Sequence, residues 1–210
     1  MSVKGDGRSK PLSAREGGFD VVAIAASAGG LNALGLVLSG LPEHFPAAIL
    51  VVQHLDPRHP SFLADILKRR TPLEVKEAEE GERLRFGTVF IAPPNRHLLV
   101  NPDATLTLTQ TELVHFVRPS ADLMFESVAA VFRDRAIAVV LTGTGSDGSM
   151  GVGAIKKMGG TVIAQDKETA DFFGMPGAAI QTGHVDITLP LADIPAAIIR
   201  LVTKGDGHER

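Results

Sequence analysis

Residues 21–40 read Val-Val-Ala-Ile-Ala-Ala-Ser-Ala-Gly-Gly-Leu-Asn-Ala-Leu-Gly-Leu-Val-Leu-Ser-Gly. The stretch opens with an unbroken apolar run, Val21 to Ala26, of strand length and rich in β-branched residues. A strand with no polar alternation is buried on both faces, as in a parallel sheet. Ser27-Ala28-Gly29-Gly30 then lets the chain turn tightly. From Leu31 to Gly40 the apolar spacing becomes helical. This is a strand, a small-residue turn and a helix, the first step of a β-α-β unit.

The grammar repeats along the chain. Apolar runs of the same kind occur at Ala48 to Val52, Val89 to Ala92, Ala136 to Leu141 and Thr161 to Ala164. Helical patterns cover Ser61 to Arg70, Ser120 to Asp134 and Gly151 to Met158. The expected fold is α/β: a doubly wound, mostly parallel sheet flanked by helices. The middle departs from it. His97 to Val100, a turn at Asn101-Pro102-Asp103-Ala104, and Thr105 to Leu108 read as an antiparallel hairpin excursion. Residues 1–18 and 204–210 are polar and Gly-rich, so both are expected to be poorly ordered tails around one domain at 19–203.

In such a sheet, ligands bind beyond the carboxyl ends of the strands. Three of the loops expected there carry a Ser, a His and an Asp: Ser27, then His54 in Gln53-His54-Leu55-Asp56-Pro57, then Asp147 in Thr142 to Gly148. Ser27 stands in a partial nucleophile elbow, with Ala25 in place of the first glycine. A helix N-terminus behind it would aim N–H groups at a developing oxyanion. A plain helix N-cap is the competing reading. His54 has the chemistry of a general base, and Asp147 that of the carboxylate that orients it. A packed loop histidine and an aspartate in a Gly-rich turn are the bland alternatives. A metal site from His54, Asp56 and His59 lacks a further ligand cluster.

The third loop also spells Gly143-x-Gly145-x-x-Gly148 between a strand and a helix, with Asp166 about 20 residues on, close to a dinucleotide fingerprint. That reading makes the chain an oxidoreductase but leaves Ser27 and His54 idle. A third reading is a non-catalytic adaptor of the same fold.

Composition narrows the classes. The 210 residues contain no Cys, which removes thiol nucleophiles, disulfides and thiolate metal sites. Net charge is −3, with no Trp or Tyr and no long basic stretch, so no nucleic-acid partner is expected. Met1 to Asp20 holds no apolar segment of signal-peptide type. No apolar run approaches the roughly 20 residues of a membrane span. A cytoplasmic protein without membrane insertion is expected.

The assembled motifs resemble the catalytic domain of the chemotaxis protein-glutamate methylesterase (CheB-type) family, from about Phe19 to Leu201. The stretches that carry it are Ile24 to Gly30, Val51 to His54, Val75 to Gly81, Ile91-Ala92-Pro93 with His97-Leu98-Leu99, Arg118-Pro119-Ser120, Leu141 to Gly148, Ala164-Gln165-Asp166 and Phe173 to Pro176. The resemblance implies Ser27 as nucleophile, His54 as base and Asp147 as acid. It implies the backbone of Ala28 and Thr144 as oxyanion donors, and no metal or cofactor. It implies demethylation of glutamate γ-methyl esters on chemoreceptor helices, and deamidation of receptor glutamines. Arg58 and Met175, with Phe62, are candidate substrate contacts at an exposed loop edge; core packing of Phe62 and Met175 is the competing reading. Ala28 stands where Thr is common, Thr144 where Met is common, and Gly177 where Arg is common. The best-known members carry an N-terminal receiver domain, and residues 1–18 are too few to make one.

Overall fold

The computed structural model describes residues 20–55, 61–114 and 116–203. The tails expected at 1–18 and 204–210 lie outside these residues. In chain order the elements are β1 (Val21–Ala26), α1 (Gly30–Ser39), β2 (Ala48–Gln53), α2 (Leu63–Lys68), β3 (Glu74–Glu77), β4 (Thr88–Ile91), β5 (His97–Val100) and β6 (Leu106–Thr109). There follow α3 (Ala121–Phe132), β7 (Ala136–Val140), α4 (Gly151–Lys157), β8 (Thr161–Gln165), α5 (Gly174–Gln181), β9 (Ile187–Leu189) and α6 (Ile194–Thr203).

Seven strands form one sheet in the order β3-β4-β2-β1-β7-β8-β9, and every pairing in it is parallel. The chain winds outward from β1 through β2, then crosses to β7 on the other side. That reversal is the crevice where α/β folds place ligands. β5 and β6 pair antiparallel with each other and stand apart from the main sheet. The hairpin excursion is therefore present where the sequence put it.

The double burial of β1 explains its composition. Val21, Ala23 and Ala25 face one apolar layer, built with α3, α4, α5 and the hairpin. Val22, Ile24 and Ala26 face the other, built with α1, α2 and α6. All six are fully buried, so no position tolerates a polar side chain. Glycine sets the spacing where α3 meets α4. A Cβ on Gly151 would lie 2.7 Å from the Phe125 Cβ and 2.9 Å from the Asp122 carbonyl oxygen. Among the described residues, no helix is long and apolar enough to cross a membrane.

Candidate active site

Register brings the first two candidates together. β1 and β2 pair with Ala26 opposite Gln53, so Ser27 and His54 are the next residues on neighbouring strands. The His54 amide donates to the Ala26 carbonyl at 3.2 Å, and the Ser27 amide donates to the Thr142 carbonyl at 3.0 Å. The second bond ties the β1 loop to the loop after β7. Ser27, His54 and Asp147 line one cleft, together with Val117, Thr144, Gly145 and Ser146.

His54 Nε2 and Asp147 Oδ2 are 2.8 Å apart. A carboxylate accepts only, so Nε2 carries the proton and donates it. In neutral His54 this leaves Nδ1 bare, with a lone pair that can take a proton. The usual serine-protease template has the opposite ring orientation, with Nδ1 on the aspartate. Among the described residues, Ser27 Oγ makes no hydrogen bond to His54. Catalytic hydrogen bonds are often loose before substrate binds.

Asp147 is buried (4% exposed) and held by more than His54. Its Oδ1 accepts from the Ser120 hydroxyl at 2.9 Å and the Asp122 amide at 3.2 Å; its Oδ2 also accepts from the Ala121 amide at 2.6 Å. Asp147 thus caps α3 from across the molecule. Ser120, in the N-cap position, makes no side-chain cap bond of its own. Burial pushes the Asp147 carboxyl up. The His54 hydrogen bond, the Ala121 amide, the His54 charge and the Ser120 hydroxyl outweigh it, and the group titrates below its ordinary range. The carboxylate stays ionised where a cationic imidazole must be stabilised.

Two amides and a hydroxyl shape the nucleophile loop. Gln53 Nε2 donates to the Ser27 carbonyl at 2.8 Å and the His54 carbonyl at 3.0 Å. The Thr142 hydroxyl donates to the Ala28 carbonyl at 3.0 Å, and Gln165 Oε1 accepts from the Thr142 amide at 2.8 Å. Gly29 holds φ 77°, which favours glycine, and α1 starts at the next residue. Among the described residues, the Ala28 and Thr144 amides have no hydrogen-bond partner, so both donors are free. Gly143 packs directly behind Ser27: a Cβ there would lie 2.9 Å from the Ser27 Cβ and 2.3 Å from the Met175 sulfur.

The dinucleotide reading fails on the same loop. A pyrophosphate would need the N–H groups that open α4. Asp122 Oδ1 already accepts from Met150 at 3.0 Å and Gly151 at 2.7 Å. The glycines instead aim Asp147 inward and let the loop press on Ser27.

The expected substrate contacts divide. Met175 is fully buried under Gly143, not at an exposed edge, because the turn into α5 sends it inward. It supports the loop and does not face a ligand. Phe62 is exposed (67%). Arg58, with Asp56 and His59, lies outside the described residues. Sequence reasoning gave no role to Gln53, Ser120 or Thr142. Only the helix-start signal at Ser120 marked one of them.

Residues 22–198 match the CheB methylesterase family. A relative from Leptospira interrogans is 41% identical over 183 residues, covering 87% of this chain and 95% of that protein. Relatives from Thermotoga maritima and Pyrococcus horikoshii are 42% and 44% identical over 87% and 89% of the chain. Both are named protein-glutamate methylesterase/protein-glutamine glutaminase. The chain spans 54% and 52% of their lengths. The crystal structure of the Thermotoga maritima CheB methylesterase catalytic domain superposes with a TM-score of 0.85 at 41% identity, over 88% of this chain and 99% of that one. The chain belongs to the CheB methylesterase family.

Proposed function

We propose that this protein is a cytoplasmic serine hydrolase that removes methyl esters from glutamate side chains on chemoreceptor helices, and deamidates glutamines at the same positions. The observation that carries the reading is the 2.8 Å His54–Asp147 bond, at the end of the strand that neighbours the Ser27 strand. The names of the Thermotoga and Pyrococcus relatives support the ester and amide chemistry.

Ser27 Oγ attacks the γ-carbonyl carbon, and its proton passes to His54 Nδ1. The cationic ring is held by Asp147. The free amides of Ala28 and Thr144 donate to the oxyanion. Collapse of the intermediate breaks the carbon–OMe bond, and the Nδ1 proton leaves with methanol. Water then gives a proton to Nδ1 and attacks the acyl-enzyme; the acyl–Oγ bond breaks, Nδ1 returns that proton to Ser27 Oγ, and the glutamate γ-carboxyl is released. With glutamine, ammonia leaves instead.

The test is methanol release from methylated receptor membranes. Wild type releases it rapidly, and Ser27→Ala falls by several orders of magnitude. Equal background release from both would remove the assignment.

A further inference from the structure

His97 is the first residue of β5, fully buried, and no step above uses it. Both ring nitrogens have partners of fixed polarity. Nε2 lies 3.0 Å from the Glu112 carbonyl oxygen, which can only accept. Nδ1 lies 3.1 Å from the Ser120 backbone nitrogen, which can only donate. The ring is therefore the Nε2–H tautomer with a bare Nδ1.

The amide that Nδ1 holds belongs to Ser120, the residue that opens α3. From that turn three donors converge on Asp147: the Ser120 hydroxyl and the Ala121 and Asp122 amides. Asp147 in turn fixes the ring of His54. One polar chain thus runs from the Glu112 carbonyl through His97, Ser120 and Asp147 to His54. Ser120 and His97 are both fully buried, so no water replaces a lost link without opening the core. The chain also joins the hairpin, which stands outside the main sheet, to the cleft.

We infer that His97 is a positioning residue for the hydrolysis. Its bare Nδ1 pins the first turn of α3, so that Asp147 is pre-aimed at His54 Nε2. The inference rests on the hydrolase reading above. It predicts a defect in kcat without one in KM, because His97 does not line the cleft.

An asparagine carries an acceptor near the place of Nδ1. A glutamine carries its amide near the place of Nε2. His97→Asn therefore keeps the Ser120 contact and His97→Gln does not. With methylated receptor membranes as substrate, His97→Asn is expected within about threefold of wild-type kcat. His97→Gln is expected to lose about 10- to 100-fold, as for residues that orient a catalytic group from behind. Both keep the wild-type KM; His97→Asn keeps the wild-type thermal transition, and His97→Gln, which orphans the buried Ser120 amide, melts lower while remaining folded at the assay temperature. Equal losses in the two variants, a full rate in His97→Gln, or a change confined to KM would overturn the inference. A second measurement decides should either variant fail to fold. Nitrogen-15 spectra of wild-type imidazoles should show His97 protonated at Nε2 and bare at Nδ1, and the reverse tautomer sinks the proposal. Ser27→Ala in the same assay separates the two claims: no excess release by wild type over that variant fails the hydrolase reading, whatever tautomer the spectra report.

Discussion

The loop after β1 and the loop after β7 have the same sequence grammar: a buried strand, a run of small residues rich in glycine, then a helix. They end up opposite in chemistry. At the first, α1 begins behind Gly29 with no side chain capping it, and the Ala28 amide beside it stays free. At the second, Asp122 fills the N-terminus of α4 with a carboxylate, at 3.0 and 2.7 Å from two amides. What separates an anion-ready turn from a filled one is a residue on a third element, α3. Glycine spacing alone carries no such information. This is why a near-complete dinucleotide fingerprint can sit on a loop that instead holds Asp147 against His54.

The largest test of the contrast is at Asp147. Asp147→Asn keeps the shape but replaces one acceptor oxygen with an NH2 group, which meets a donor of His54 or of α3. It should lower kcat by about four orders of magnitude in the methanol assay, the size of the effect in a comparable triad. The same pair reports the electrostatics. The Asp147 carboxyl is depressed in the folded state, so its ionisation adds stability above the unfolded carboxyl pKa of about 3.9 and loses it as pH falls through the folded value. Wild type should therefore lose stability relative to Asp147→Asn as pH falls below the ordinary carboxylate range, by thermal unfolding. A flat difference would contradict the assignment.

Next comes Gly143→Ala. The added Cβ meets the Ser27 Cβ at 2.9 Å and the buried Met175 sulfur at 2.3 Å. Displacing the nucleophile by a fraction of an ångström is expected to cost about 100-fold in kcat. The unchanged rate of Gly145→Ala would not be a fair comparison, because Gly145 sits at φ 83°. A better control is Gly153→Ala on α4, where the nearest atom to a new Cβ is His184 Cδ2 at 3.2 Å. It should leave kcat within a few-fold.

The smallest effect is expected at Asp122→Asn. It weakens the α4 cap and should cost about 1 kcal/mol of stability in denaturant unfolding, with kcat changed far less than by Gly143→Ala. A loss of activity as large as that of Gly143→Ala would mean that the α4 cap, and not the packing against Ser27, sets the geometry.

Much of this was legible in the chain. β1, β2 and β7 are central and buried on both faces, so burial selected unbroken apolar runs that announce themselves. β3 and β9 did not. Glu74–Glu77 is a short edge strand with a polar face, and Ile187–Leu189 has three residues. α5 is masked by Gly174, Pro176 and Gly177, poor residues for a helix interior. α6 was not among the helices read from the sequence, although Ile194, Ala197, Ile198 and Val202 recur at helical spacing and all four are buried. At the site, the three loop residues could be named because each lies in the loop that follows a recognisable strand. Gln53, Thr142, Ser120 and His97 could not, because each has a partner far away in sequence that defines its role. His97 meets Ser120 across 23 residues, and Ser120 meets Asp147 across 27. For Met175 the sequence left substrate contact and core packing both open, because the first turn of a helix gives no local sign of which way its side chain faces; the structure buries it.

The central claim is that Ser27 and His54 act as one unit. Methanol release from methylated receptor membranes should be measured for Ser27→Ala, His54→Ala and the double variant. One unit predicts that the double variant is no slower than Ser27→Ala alone, since either loss removes the whole covalent route. If the double variant falls further, by the product of the two single effects, the residues act independently and the triad is wrong.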